Sequence, residues 1–385
     1  MATSAQAPAN AAARAAAWLA AWDGQGEHRT ATPGDQAGAE WLAGEARALG
    51  ATVAIETFPL DRLDPVAAFV ELEGTRYPGV AMFDAPDTAD GRIHALATML
   101  GQGEGHVALG ETSPLAVYAP EFVRMRRESP HKAIVLATKG GAPGLALLNA
   151  EYFTAPFGPA ILQVSSEYRD VLVTAVGRGA ALRVVTRSTR TRAEARNVVV
   201  AIRGRDPTLT PLVVMTPRSS WWVSTSERGG GLVCWLEALR ALLAVAPARD
   251  VILTANSGHE LGHIGLDAFL ERRPGWMEKA TWMHFGANIG AAGGRLSVVS
   301  GHDDLRQQMA AALSAAGQDH AMAPGTTVPN GETRDIHRAG GRYITLVGGN
   351  PLFHLPQDRL PHAVDQAAVV RAAQATARIV AALTS

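Results

Sequence analysis

Val251-Ile252-Leu253-Thr254-Ala255-Asn256-Ser257-Gly258-His259-Glu260-Leu261-Gly262-His263 is the stretch whose reading decides the fold. Its last five residues match H-E-x-x-H, a pattern in which two histidines one helical turn apart grip zinc and the glutamate activates water. That geometry needs a helix running through both histidines. The residues before the motif oppose one: 251–254 have the β-branched and leucine composition of a buried strand, and Asn256, Ser257 and Gly258 then break the chain. Gly262 lies inside the motif and Gly265 just beyond it. The stretch reads as a buried strand followed by a polar turn, and a helical H-E-x-x-H protease on another fold is rejected.

The same rhythm extends on both sides. Residues 198–202, 212–215, 281–285 and 343–347 are further buried-type strands, and 230–245, 261–270, 305–315 and 367–383 carry apolar residues at helical spacing. Alternation of this kind predicts an α/β fold, a mostly parallel twisted sheet with helices on both faces. In such sheets ligands collect outside the carboxyl ends of the strands. Towards the N-terminus, 32–35 reads as a turn and cap, 37–49 as a helix stopped by Gly50, and 52–58 as an alternating strand. Residues 60–190 differ in texture, with short β-like runs at 133–137, 145–148, 160–164 and 182–185 between Gly and Pro turns. This predicts a smaller β-rich inserted domain at 60–190, with 1–59 and 191–385 forming the main α/β domain.

With 35 basic and 36 acidic residues and a net charge of −1, nothing favours nucleic acid or an anionic membrane as a partner. Cys234 is the only cysteine, which excludes an intrachain disulfide and a thiolate zinc site, and its apolar flank marks it as buried and inert. The alanine-rich segment 1–24 is broken by Arg14 and reads as a helix rather than a signal peptide. No apolar run reaches the roughly 18 residues of a membrane span, so the expected location is the cytoplasm.

Candidate chemistry lies after the strands. Arg218, Ser219, Trp221 and Trp222 follow 212–215, and Ser226-Glu227-Arg228-Gly229-Gly230-Gly231 leads into a helix whose N–H groups could face an anion or carbonyl. His259, Glu260 and His263 follow 251–254. His284 ends the strand 281–285, and His354 lies in a proline-rich loop after 343–347. His302, Asp303 and Asp304 read as a capping cluster, and His362 and Asp365 as the start of the last helix. The two tryptophans read equally as a pocket for an apolar substrate group or as packing between domains.

Together these pieces resemble the co-catalytic di-zinc aminopeptidases, the group of bacterial aminopeptidases, glutamate carboxypeptidase and glutaminyl cyclases, over nearly the whole chain. TPGDQAGAEWLAGEARALGATVAIETF (32–58) is similar to the family's first helix and strand, and 60–190 to the protease-associated domain that many members insert. SERGGGLVCWLEALRAL (226–242), VILTANSGHELGHIGLDAFL (251–270) and AGGRYITLVGGNPLFHLPQD (339–358) stand where the family carries its ligands. The resemblance implies a phosphorylase/hydrolase-like zinc-peptidase fold and a metal pattern only partly kept. Pro217 and Arg218 occupy the place of its first histidine ligand, Glu227 that of its bridging aspartate and His259 that of its general base. Glu260 and His354 keep two ligands, and the second aspartate falls at or near Ala287.

A rebuilt site is therefore expected, hydrolysing an amide or peptide-like C–N bond in a small-molecule or short peptide-like substrate. At most one zinc is expected and no other cofactor, with Glu260, His259, His263 and His354 as metal ligands and His284 as a further candidate. The catalytic candidates are His259, Glu260, Arg218, Ser219 and Glu227. Without metal, His259 would serve as base for a water or for Ser219, with Arg218 or the glycine-loop N–H groups stabilising an oxyanion. The alternative is a non-catalytic binding scaffold, as in the transferrin receptor branch. A homo-oligomer is compatible with the sequence.

Overall fold

The computed structural model describes residues 10–88, 91–103 and 105–385. Of the alanine-rich N-terminal segment, 1–9 lie outside the described residues, and the rest forms the helix Ala11–Asp23, capped by the Asn10 side chain. Thr32 caps the next helix, Pro33–Ala48, through its side chain, with proline at its first position.

The strands are β1 (Val53–Leu72), β2 (Thr75–Ala81), β3 (Ile93–Met99), β4 (Val107–Thr112), β5 (Ala133–Thr138), β6 (Ala160–Ser165) and β7 (Ala181–Ile202), followed by β8 (Leu212–Pro217), β9 (Val251–Asn256), β10 (Thr281–Phe285), β11 (Leu296–Val299), β12 (His320–Met322) and β13 (Arg342–Gly348). They run in the order β1-β2-β6-β5-β4-β3-β7-β9-β8-β10-β13-β11-β12, with β1 also paired to β7. At the centre β9, β8, β10 and β13 are mutually parallel. The fold is thus α/β with a large, mostly parallel sheet between helices.

Strand alternation explains the two covered faces. Leu212, Val214, Met283, Ile344 and Leu346 enter one core with the helices Gly230–Ala244 and Gln366–Leu383. Val213, Met215, Trp282 and Tyr343 enter another with Leu266 and Phe269 of the helix Ile264–Glu271. Burying both faces is why these strands read as continuous apolar runs. Cys234 is fully buried in the first core, and burial pushes its thiol up to about 12, an inert state.

β1 and β7 are far longer than the sequence suggests. They pair antiparallel from Val53↔Val200 to Glu71↔Arg183, with one bulge between Pro65 and Ala67. One end of this ribbon joins the central sheet through β9, and the other joins β3 and β2, where β2 to β6 enclose their own core of Val107, Val135, Leu162 and Leu172. The expected strand at 145–148 is a correction: it is loop, with Leu147 bonded to the His354 backbone instead of to a sheet neighbour. Trp221 belongs to the contact between the two cores, with its ring edge-on to Phe83 at 4.9 Å and its indole N–H on Asn149. Asp365 caps the last helix through its side chain, whereas His302 makes no side-chain cap for Asp303–Ala315. Among the described residues no helix is long and apolar enough to cross a membrane.

Candidate functional site

The carboxyl ends of β8, β9, β10 and β13 bring two charged clusters side by side. Their separation begins in the backbone after β9. Gly258 (φ 81°), Gly262 (φ 77°) and His263 (φ 64°) are all left-handed, so His259–Leu261 forms one short 3-10 turn and the helix starts only at Ile264. A left-handed non-glycine residue is uncommon and marks a conformation imposed by its surroundings. The result turns the His259 and His263 rings to face each other, 5.2 Å between centroids, and sends Glu260 the other way.

Glu260 enters a fully buried cluster. Its Oε2 accepts from Ser219 Oγ at 2.6 Å and its Oε1 from Arg228 Nη2 at 2.6 Å. The same Arg228 nitrogen lies 2.8 Å from Glu227 Oε1, and Arg228 Nε donates to the Ser219 carbonyl. His354 binds the Leu147 carbonyl through Nδ1, and its Nε2 stands 3.4 Å from Glu227 Oε1 with no hydrogen-bond partner. A guanidinium therefore sits among Glu227, Glu260 and His354. Ser219 Oγ also accepts the Gly258 and His259 N–H groups, which leaves it locked beside the turn and not bonded to an imidazole. Arg218 is spent on structure: Nη1 pairs with Asp35 Oδ1 at 2.8 Å, and the fully buried side chain also holds the Asp35 and Arg196 carbonyls.

Burial raises the proton affinity of Glu227, but Arg228 and then His354 outweigh it, and its pKa falls to about 2 from 4.5. Because the folded value is depressed, this carboxylate stabilises the protein above pH 4.5, and the contribution is lost as pH falls towards 2. The expected size is on the order of 3 kcal/mol. Guanidinium midpoints measured from pH 7 to 3 should show a steep acid limb in wild type and a flatter one in Glu227→Gln, which cannot titrate.

The second cluster is built on Glu332, which no strand, turn or spacing signal in the sequence singles out. Its Oε2 lies 2.8 Å from His259 Nδ1 and 3.3 Å from His284 Nε2, while its Oε1 has no partner. His263 bonds Asp335 through Nδ1 at 2.6 Å, leaving a buried, unpartnered Nε2. Thr333 Oγ1 holds His284 Nδ1 at 2.6 Å. Burial alone would raise Glu332, yet the histidines, His259 first, hold it well below the usual carboxylate range. Gly331 (φ 68°) lets the backbone pass over the rings, since a Cβ there would lie 3.3 Å from His259 Cε1.

Of the expected ligands, the fold thus gathers His259 and His263 with His284 at Glu332, and takes Glu260 and His354 away to Arg228. His259, His263 and Glu332 each offer a ligand atom, all within 4.8 Å of one another, a nitrogen and oxygen set suited to one zinc. The Asp335 carboxylate behind His263 is the usual support for a metal-binding imidazole, since it fixes the tautomer. Glu260 and His354 do not fit an ion, because a cation of the protein's own already lies against their cluster. A pocket of about 210 Å³ opens onto His259 and His284. Trp221 and Trp222 are not among its lining residues.

No family model matches the sequence, and no curated protein sequence is similar to it. Solved structures are similar to the whole chain. The zinc aminopeptidase BSAP from Bacillus subtilis has a TM-score of 0.79 at 17% identity, covering 98% of this chain and 96% of that one. The fold is that of the zinc aminopeptidases. The aminopeptidase from Aneurinibacillus sp. strain AM-1 (TM-score 0.70, 12% identity, 97% and 93% covered) and a peptidase M28 precursor from Shewanella amazonensis SB2B (0.71, 13%, 97% and 93%) have the same aminopeptidase fold.

Proposed function

We propose that the chain hydrolyses an amide or peptide-like C–N bond in a small substrate, at one divalent metal ion, zinc, held by His259, His263 and Glu332. The observation that carries this reading is the convergence of those three buried side chains beside a pocket, with His263 Nε2 and Glu332 Oε1 unpartnered. Buried polar atoms are rarely left without partners, and here both belong to a group whose ligand atoms lie within 4.8 Å of one another. The aminopeptidase fold supports the same reaction class, since its similar structures include zinc aminopeptidases.

A bound zinc ion would polarise the scissile carbonyl and lower the pKa of a water. The protein's own groups do the rest. Asp335 holds His263 through Nδ1, which directs Nε2 towards an ion, and Thr333 orients His284. His284 Nε2, unpartnered on the pocket side of Glu332, is placed to receive a proton. Ser219, Glu260, Glu227 and Arg218 act as supports: Ser219 fixes the turn that carries His259, and Arg228 ties Ser219 to both glutamates. We take 60–190 as an inserted, protease-associated-like domain that supplies Leu115 and Tyr118 to the pocket wall, with 1–59 and 191–385 as the main domain.

The test is metal content of protein purified without chelator, together with hydrolysis of an amino-acid p-nitroanilide panel, for wild type and His263→Ala. One zinc per chain, lost with activity in the variant, is expected. Metal-free wild type that hydrolyses no amide would sink the proposal and leave a binding scaffold. In Asp335→Asn, metal affinity should drop about 10- to 100-fold with the fold intact.

A further inference from the structure

The pocket beside His259 and His284 has a composition that selects the substrate. Its apolar wall is Leu115, Tyr118, Ala287, Val347 and Phe353, and its polar groups are neutral, chiefly Asn288, Asn330 and Asn350. Among the described residues no aspartate, glutamate, lysine or arginine lines it. The acids behind the lining are engaged: Glu332, 1% exposed, lies against His259 and His284, and Asp358 accepts from Asn350 Nδ2. Two of the asparagines are also committed, Asn288 Nδ2 to the Gly348 carbonyl and Asn350 Nδ2 to Ser226 Oγ and Asn288 Oδ1.

An α-ammonium entering this space would give up its water with no lining carboxylate to receive it, and would do so beside the His259 and His284 imidazoles and the ion proposed at His259, His263 and Glu332. Burying an unpaired charge costs several kcal/mol, whereas an apolar group gains by the same move. A carboxylate on the acyl side chain, away from the ion, is equally unmatched, since among the described residues no lysine or arginine lines the pocket. We infer that the substrate is an uncharged, N-blocked amide whose acyl half carries an apolar side chain into this pocket, and that a free amino terminus is selected against. The inference rests on the hydrolase reading. The reaction is R–CO–NH–R′ + H2O → R–COO⁻ + R′–NH3⁺: the C–N bond breaks, water oxygen joins the carbonyl carbon, and both its protons end on the amine, one of them relayed by the site base.

The probes are leucine p-nitroanilide and N-acetyl-leucine p-nitroanilide at about pH 6.5, below the ordinary α-amino pKa of about 7.7–8.0, so that the first is an ammonium. Wild type should show kcat/KM at least about tenfold higher for the acetylated compound. Equal or better turnover of the free amine would overturn the inference. Val347→Asp, a half-buried position on the pocket wall, should move the ratio at least about fivefold towards the ammonium. Calorimetric binding of N-acetyl-leucinamide against leucinamide separates the two readings. If neither anilide is cleaved, the hydrolase reading fails, while discrimination between the leucinamides still decides the pocket's preference. Equal binding of both overturns it.

Discussion

Glu332→Ala should leave a folded protein that holds no zinc and hydrolyses amides at least about 10³-fold more slowly than wild type. The size follows from asking one ion to supply several kcal/mol of transition-state stabilisation, with each 1.36 kcal/mol worth tenfold. Glu332 is the sharpest place to cut because it touches both His259 and His284, and its own carboxylate is one of the three converging ligand groups. Its removal leaves the imidazoles without their shared anion, and an imidazole, unlike a fixed charge, can give up its proton when its counter-ion is gone. Metal by mass spectrometry and kcat/KM on the same preparation check the result. Retained metal with lost activity would move Glu332 from ligand to proton handling, and retained activity would remove it from the site.

The second large effect is on stability. Arg228→Ala leaves Glu227 and Glu260 buried at van der Waals distance from a void with no counter-ion, and a loss of about 3–5 kcal/mol is expected. Arg228→Lys keeps the charge but not the planar fork that reaches both carboxylates and the Ser219 carbonyl, so an intermediate loss is expected. In the triple variant Arg228→Met, Glu227→Gln, Glu260→Gln the charges go together, and most of the stability should return. Denaturant midpoints measure all three. A triple variant as unstable as Arg228→Ala would mean that packing, not charge, governs the cluster.

These two clusters also show where the sequence speaks and where it is silent. Residues 212–215, 251–254, 281–285 and 343–347 are legible as strands because burial on both faces keeps them predominantly apolar. His259 and His263 are legible as a pair, but their spacing does not reveal that left-handed glycines on either side turn Glu260 away from them. Glu332 lies just before the short helix Thr333–Arg338, between a strand ending at Met322 and one beginning at Arg342, and only the closed fold sets it against His259, 73 residues earlier. Arg228 looks like an ordinary charge at the start of a helix. Its burial is a tertiary fact, since the glutamates around it come from the loop before the helix and from the turn after β9. The run 145–148 misleads for the opposite reason: its leucines are buried by the contact between the cores and not by a sheet.

The β1–β7 ribbon carries a consequence for how substrate gains access. Its ladder is paired along nearly its whole length, and the single bulge near Pro65 leaves both sides hydrogen-bonded. Swinging β2 to β6 outward would shear that ladder and pull Trp221 from Asn149 and Phe83. Leu115 and Tyr118 therefore form a fixed wall instead of a moving jaw. On the hydrolase reading, turnover then has no domain-closing step to wait for.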